Sequence, residues 1–170
     1  MPTPRDLTTA DIASVLGLQS EAAGATAVFD AVTRLVHETV GPYRLLTVLR
    51  YREAEEVVER VYSSDPAYPI GGRKPLALFP TNHAAMARGD IFLAGTRAEV
   101  EAAFADHATL FGMGITAILN APIRHAGCRL GTLNLCGKEG QFGPREIANA
   151  RLLAALLAPT LLTLPMRLSS

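Results

Sequence analysis

The feature that most constrains the fold is a pair of adjacent β-forming runs in the last third of the chain. They extend over 115–124 and 128–137, and three residues, His125-Ala126-Gly127, connect them. Two such runs joined by so short a connection favour an antiparallel hairpin. Gly143-Pro144 follows and indicates a helix over 144–157, because proline is favoured at the first position of a helix. The last third is therefore predicted to be a hairpin packed against a helix.

The rest of the chain alternates between helical and extended patterns. Helices are predicted over 10–16 and 20–39, and an antiparallel pair of strands over 43–51 and 57–62. Prolines and two adjacent glycines between 63 and 80 exclude a long regular element and predict an ordered loop or lid. After this loop we expect a helix over 81–88, an edge strand over 91–94, a helix from the Thr96 capping box to about 106, and a turn region over 107–114.

The hairpin and its surroundings carry a resemblance to a known family. Asn120 and Pro122 in the first strand, Gly131 in the second and Phe142 before the last helix are similar to the C-terminal half of a GAF domain. The order of elements is similar to that family over about 22–162. The resemblance implies an α+β, GAF/PAS-like fold in a single domain over 1–170, with an antiparallel sheet and terminal helices on one face. It also implies a ligand pocket on the other face, under the inserted loop and short helices.

The alternation of side chains along a strand assigns three residues to this pocket. Leu133 and Leu135 lie on one face of the second hairpin strand, and Thr132 and Asn134 lie on the other. If the leucines pack under the helices, as the resemblance implies, Thr132 and Asn134 point into the pocket. Asn120 in the partner strand is a third candidate, because a polar side chain in an apolar strand needs a hydrogen-bond partner. A structural hydrogen bond to a nearby loop is the alternative for all three.

Two histidines fall in the segment that would roof the pocket. His83 and His107 are therefore candidate ligand-binding residues, whereas His37 and His125 have positions typical of a helix end and an exposed turn. Asp106 precedes His107, but neighbours on a helix do not face each other, so the two do not form an acid–base pair.

The same segment supplies four further candidates. Tyr68 lies between two prolines, which restricts its motion and suits a gate over the pocket. Arg73, or its neighbour Lys74, could meet an anion, although solvation is the common role of such charges. Phe111 and Met113 could form an apolar wall of the pocket, with core packing as the alternative.

Catalytic and metal-binding motifs are absent from the sequence. It has no nucleophile turn, no spacing of metal ligands, no cyclic-nucleotide motif of the family and no cysteine over 63–114 to carry a bilin, so no cofactor is predicted. Cys128 and Cys136 lie eight positions apart on one predicted strand, or about 26 Å, too far for a disulfide. A thiol-dependent reductase of the free methionine-(R)-sulfoxide reductase type, which shares the fold, is therefore the weaker alternative.

The charge balance and two sequence segments restrict the expected binding partners and the cellular compartment. The 16 basic and 16 acidic residues balance, so no nucleic-acid partner is expected. No secretory signal is visible at the N-terminus, and the uncharged run over 152–166 contains two prolines and is too short to span a bilayer, which together predict a cytoplasmic protein without a membrane partner.

The resulting functional hypothesis is a non-catalytic sensory domain. We expect a small-molecule ligand, a homodimer through the terminal helices, as the resemblance implies, and a signal passed to a separate protein. A pure interaction module with a vestigial pocket is a further alternative.

Overall fold

The computed structural model describes residues 4–165, and the predicted domain, 1–170, includes eight residues that lie outside this range. The helices are α1 (Thr9–Ser20), α2 (Ala25–Thr39), α3 (Pro80–Arg88), α4 (Arg97–Ala103), α5 (His107–Gly112), α6 (Pro144–Leu156) and α7 (Ala158–Thr163). The strands are β1 (Leu45–Arg52), β2 (Val57–Ser63), β3 (Arg73–Pro75), β4 (Phe92–Ala94), β5 (Ala117–His125) and β6 (Cys128–Gly137).

The six strands form one antiparallel sheet in the order β3-β2-β1-β6-β5-β4. The predicted hairpin supplies β5 and β6, and the predicted pair supplies β1 and β2. The long central strands make the ladder β2-β1-β6-β5, so residues far apart in sequence lie side by side across the sheet. Thr47 in β1 lies beside Asn134, which lies beside Asn120, and this row crosses the middle of the sheet.

Helices α1, α2, α6 and α7 cover one face of the sheet. The main core lies between these helices and the sheet, and Leu133 and Leu135 are fully buried in it. The predicted assignment of the two leucines to the helical face is therefore confirmed. The opposite face is covered by the segment between β2 and β5, which includes α3, α4 and α5.

Helices α6 and α7 together form one stretch, Pro144–Thr163, that is long and apolar enough to cross a membrane by length and composition. Leu153, Leu157 and Leu161 on this stretch are buried against the sheet, with at most 1% of each exposed. A core helix passes the same test of length and apolarity as a membrane span, and this packing explains the composition.

The first helix, predicted over 10–16, is longer in the structure, where α1 is Thr9–Ser20, and two other regions also differ from the prediction. The predicted helix over 20–39 begins later, because Gly24 has a φ of +89° that ends helical geometry before Ala25. The predicted turn over 107–114 contains α5 instead, and α4 ends at Ala103. The predicted helix over 144–157 corresponds to α6, and a separate helix, α7, follows it, because Pro159 has no N–H to donate to the preceding turn.

Candidate functional site

A cavity of about 120 Å³ lies between the sheet and the segment that covers it. This volume is several times what one water molecule requires. Its apolar lining residues are Leu45, Leu49, Val58, Phe79, Phe104, Leu110 and Ile118, and its polar and ionisable lining residues are Thr47, Arg60, Tyr68, Lys74, Asn82, His83, Asp106, Asn120, Thr132, Asn134 and Cys136.

A row of side-chain hydrogen bonds crosses the floor of the cavity. Asn134 Nδ2 donates to Thr47 Oγ1 (3.2 Å), Asn120 Nδ2 donates to Asn134 Oδ1, and Asn82 Nδ2 of α3 donates to Asn120 Oδ1 (2.8 Å). We call these four residues the amide ladder. Thr47, Asn134 and Asn120 lie side by side on β1, β6 and β5, so the sheet register brings these three side chains together. The ladder ties α3, part of the roof, to the floor.

His83 occupies one end of the cavity in its neutral form. Its Nδ1 lies 2.8 Å from the hydroxyl of Tyr51, and burial lowers the pKa of the imidazole, aided by the charge of Arg129. Burial also raises the pKa of Tyr51 to about 12, so the hydroxyl keeps its proton and can donate to Nδ1. That arrangement leaves the proton of the imidazole on Nε2, which has no hydrogen-bond partner in the described residues.

A β-bulge in β2 places Arg60 on the cavity face. Val48 pairs with Tyr62 and Leu49 pairs with Arg60, so Val61 is an extra residue in β2. Tyr62 therefore points to the helices, where its hydroxyl donates to Asp30 (2.9 Å), while Arg60 points to the cavity with Leu49. Without the bulge, strict alternation would place Arg60 and Tyr62 on the same face.

The proline- and glycine-rich loop holds Arg60 from several sides. Arg60 Nη1 donates to the carbonyl oxygen of Pro69 (2.9 Å), and the ring of Tyr68 lies 5.1 Å from the guanidinium carbon. The backbone of Arg60 also bonds to Gly71 and Gly72, at 2.7 and 2.8 Å. Burial lowers the pKa of this guanidinium, which is the effect expected where a charge is enclosed without a counter-ion.

An ion pair joins two parts of the cavity roof. Lys74 Nζ of β3 lies 3.2 Å from Asp106 Oδ2, which precedes α5, and the same ammonium lies 5.1 Å from the ring centre of Phe79. The pair is partly exposed, so it contributes little to stability, but it connects the loop side of the roof to its helical side.

Four residues around the cavity each carry a buried polar atom without a hydrogen-bond partner. Within residues 4–165 these atoms are Arg60 Nε, His83 Nε2, Asp106 Oδ1 and Thr132 Oγ1. A buried unpaired polar atom costs about 1 to 3 kcal/mol, so proteins rarely leave several of them together. Their concentration at one cavity favours a site whose hydrogen bonds are completed by a bound molecule.

Five of the nine predicted ligand-binding residues line this cavity. They are Thr132, Asn134, Asn120, His83 and Tyr68. The two asparagines lie at the cavity, and their structural hydrogen bonds go to each other and to residues of β1 and α3 rather than to a loop. Their contact with a ligand remains a prediction.

Arg73 lies outside the cavity lining, and its neighbour Lys74 takes the predicted place. Adjacent residues of a strand point to opposite faces, so only one of the two can reach the cavity. Arg73 Nη1 instead lies 2.8 Å from Glu55 Oε2.

The other three predicted residues also lie outside the lining, because α5 forms where a turn was expected. His107 Nδ1 lies 2.9 Å from the carbonyl oxygen of Phe104 and closes the junction of α4 and α5. The guanidinium of Arg97 lies 3.6 Å from the ring centre of Phe111, and Met113 packs at the edge of the apolar cluster below the roof. Leu110 of the same helix reaches the cavity in their place.

Sequence reasoning missed several polar residues of the site. Arg60 was hidden by the bulge, which has no sequence signature here, and Thr47 and Asn82 required the strand register and the position of α3. Asp106 pairs with Lys74, 32 positions away, a contact that its position beside His107 in the sequence does not indicate.

The two cysteines differ in their surroundings. Cys136 lines the cavity and is buried, which raises the pKa of its thiol to about 12, whereas Cys128 is exposed at the other end of β6. A thiol with so high a pKa is a weak nucleophile near neutral pH. Among the described residues, no cluster of three or more histidine, cysteine or acidic side chains could hold a metal ion.

An antiparallel sheet with helices on one face and an enclosed cavity on the other, under an inserted segment, defines an α+β class of small domains. The sequence profile of the GAF domain matches residues 25–161. The chain belongs to the GAF domain family, which confirms the predicted resemblance. Domains of this family are typically small-molecule-binding parts of signalling proteins, and they are generally regulatory rather than catalytic.

Solved structures of GAF domains share the fold at low sequence identity. The domain from a phosphoenolpyruvate-protein phosphotransferase of Coxiella burnetii is 15% identical with a TM-score of 0.71, covering 89% of this chain and 90% of that one. The phycoerythrobilin-bound domain of a cyanobacterial phytochrome is 13% identical with a TM-score of 0.67, covering 93% and 98%. The domain of a sensor histidine kinase from Bacillus halodurans is 15% identical with a TM-score of 0.61, covering 78% and 92%. No curated protein matches the chain in sequence.

Proposed function

We propose that this protein is a cytoplasmic, non-catalytic sensory domain that binds a small molecule in the cavity and signals, as a homodimer, to a separate protein. The observation that carries the proposal is the group of four unpaired polar atoms around one cavity. In a vestigial pocket we would expect apolar side chains in these positions, because a buried polar atom without a partner destabilises the folded state. The similar phytochrome domain is bound to phycoerythrobilin, which supports the use of this fold for holding small molecules.

Ligand binding is tested first on the purified protein. Native mass spectrometry looks for a co-purified compound, and thermal-shift measurements use nucleotides, amino acids, aromatic acids and tetrapyrroles. A ligand that binds only the folded state raises the melting temperature by mass action. A wide screen without a single shift, together with no co-purified mass, would contradict the proposal and favour a pure interaction module.

A matched pair of variants then locates the binding site. Leu49→Phe places a larger side chain in the cavity, whereas Leu93→Phe makes the same change on the edge strand β4, where the leucine is 37% exposed. We expect Leu49→Phe to remove the thermal shift and Leu93→Phe to retain it. Equal responses of the two variants would place the ligand elsewhere.

The enzymatic alternative makes a separate prediction. A thiol-dependent reductase would need Cys136, the cysteine at the cavity, and its raised pKa argues against that role. The wild type should therefore not reduce methionine sulfoxide, and Cys136→Ser should give the same result in this assay. Reduction that disappears in the variant would support the enzyme instead.

Exposed apolar side chains on the helical layer support the proposed homodimer. Leu16, Leu152 and Leu162 are each about half exposed, at 46%, 49% and 50%. Light scattering after gel filtration should give twice the chain mass for the wild type and the chain mass for Leu152→Glu. Leu78→Glu, a matched change at an exposed position of the roof, should leave the dimer intact. A wild type that is monomeric at all concentrations would refute the homodimer but not the binding of a small molecule.

A further inference from the structure

We propose that the cavity recognises a small organic carboxylate with an apolar body, and that Arg60 is the residue that binds its carboxylate group. This inference rests on the proposed function, because it names the class of molecule that the cavity holds. Arg60 would then determine specificity, since the ligand supplies the counter-ion that the protein does not.

The balance of charge around the cavity leaves Arg60 without a partner. The ionisable lining residues apart from Cys136, Tyr68 and the neutral His83 are Arg60, Lys74 and Asp106. Lys74 and Asp106 pair with each other at 3.2 Å. The remaining charge is the guanidinium of Arg60, and no described carboxylate lies within ion-pair distance of it. The cavity therefore carries a net positive charge, which an anionic ligand would neutralise.

The free edge of this guanidinium has the geometry that a carboxylate prefers. Nη1 is used by the carbonyl oxygen of Pro69, while Nε and Nη2 have no protein partner in the described part of the chain. These two nitrogens form one edge of the planar group, and their N–H bonds are nearly parallel. Two parallel donors match the two oxygens of a carboxylate, which is a strong and specific arrangement.

The loop positions Arg60 before any ligand arrives. The ring of Tyr68, the bond to Pro69 and the backbone bonds to Gly71 and Gly72 all restrain it. A restrained side chain loses little entropy on binding, which increases affinity.

The rest of the lining favours an apolar body over a polar one. Leu45, Leu49, Val58, Leu110 and Ile118 supply aliphatic surface around the space. The asparagines of the amide ladder bond to one another and to Thr47, so they do not need a ligand to satisfy them. A cationic ligand is disfavoured, because Lys74 already neutralises the single carboxylate of the lining, Asp106.

The test compares three series of compounds with the same carbon skeletons on the purified full chain. Carboxylates from acetate through isovalerate to phenylacetate are titrated at up to millimolar concentration by calorimetry, beside their amides and the corresponding amines. We expect at least one carboxylate to bind about 10-fold or more tightly than its amide, and no amine to bind. The reverse order, or a complete absence of binding by the carboxylates, would overturn the inference.

Variants of the arginine give the second readout. Arg60→Gln should weaken binding of the carboxylate about 10- to 100-fold, while Arg50→Gln should have little effect, because Arg50 donates to the carbonyl oxygen of Leu164 on the helical side. Gly72→Ala keeps the charge but adds a Cβ 2.9 Å from Arg60 Nη1, so it should displace the guanidinium and also weaken binding. Gly72→Ala therefore tests whether the guanidinium binds the carboxylate even if Arg60→Gln does not fold.

The failures of the two proposals are distinguishable. If a neutral or cationic compound binds in the cavity and Arg60→Gln leaves its affinity unchanged, the carboxylate inference fails while the sensory function stands. If no compound of any class binds in the wider screen, the proposed function fails with it.

Discussion

Replacing Asn134 with leucine should destabilise the protein by about 2 kcal/mol, because it breaks the amide ladder in its middle. The side chain is 6% exposed and has two hydrogen bonds, one from Asn120 Nδ2 and one to Thr47 Oγ1. Losing the first leaves a buried amide donor unpaired, at about 1 to 3 kcal/mol, and losing the second costs about 1 kcal/mol. The added apolar surface of leucine offsets about 1 kcal/mol. For a chain of this length, about 2 kcal/mol corresponds to a melting temperature lower by about 4 to 8 °C.

A double-mutant cycle measured by urea denaturation isolates the ladder. Asn120→Leu alone removes the same bond and also the acceptor of Asn82. The double variant Asn120→Leu/Asn134→Leu loses the shared bond only once, so it should be less destabilised than the sum of the single changes by about 1 kcal/mol.

Asn149 provides the matched control for this cycle. It is buried in the helical layer, where its Nδ2 donates to the carbonyl oxygen of Thr39 (3.0 Å), and it shares no partner with Asn134. Asn149→Leu and Asn134→Leu should therefore be additive within about 0.5 kcal/mol. Additivity of Asn120→Leu and Asn134→Leu to the same precision would refute the direct bond between the two amides.

Further predictions concern a close-packed glycine and the two thiols. Gly131→Ala should destabilise the protein by about 3 kcal/mol, because an added Cβ would lie 2.1 Å from the carbonyl oxygen of Leu49. Gly17→Ala in α1, where an added Cβ has no atom within 4 Å, should stabilise it by up to about 1 kcal/mol. Urea denaturation compares the two variants. Cys128 should react with a thiol reagent in the native protein, while Cys136 should react only after unfolding, and equal rates for both would contradict its burial. Burial raises the pKa of the Cys136 thiol from about 9 to about 12, so the folded state holds the thiol proton more strongly than the unfolded state. This contribution to stability is present below about pH 9 and is lost as the pH rises towards 12. The wild type should therefore lose more stability than Cys136→Ala over that pH range.

Elements with strong local signals could be predicted from the sequence. The Thr96–Glu99 capping box begins α4 as expected, with both of its hydrogen bonds present, and Pro144 begins α6. The hairpin followed from two apolar runs and a short connection, and its alternation placed Leu133 and Leu135 on the helical face. These features depend on residues within one turn or one strand, so neighbouring residues carry the information.

The segment that covers the cavity could be predicted only in outline. Helix α5 has six residues and no capping side chain, so its formation depends on packing of Leu110 beneath the roof rather than on local preference. Because α5 forms there, the predicted ligand-binding residues His107, Phe111 and Met113 lie outside the cavity lining. The proline- and glycine-rich loop was expected to be irregular and functional, but its contacts with Arg60 were not visible in the sequence.

The sequence by itself determined the family, the order of the elements and the face on which Thr132, Asn134 and Asn120 lie, because strand alternation is a local property of the backbone. Tertiary structure decided the chemistry of the cavity. The extra residue Val61 places Arg60 on the cavity face, and the sheet register unites amides from separate strands, since both depend on pairing between segments distant in sequence.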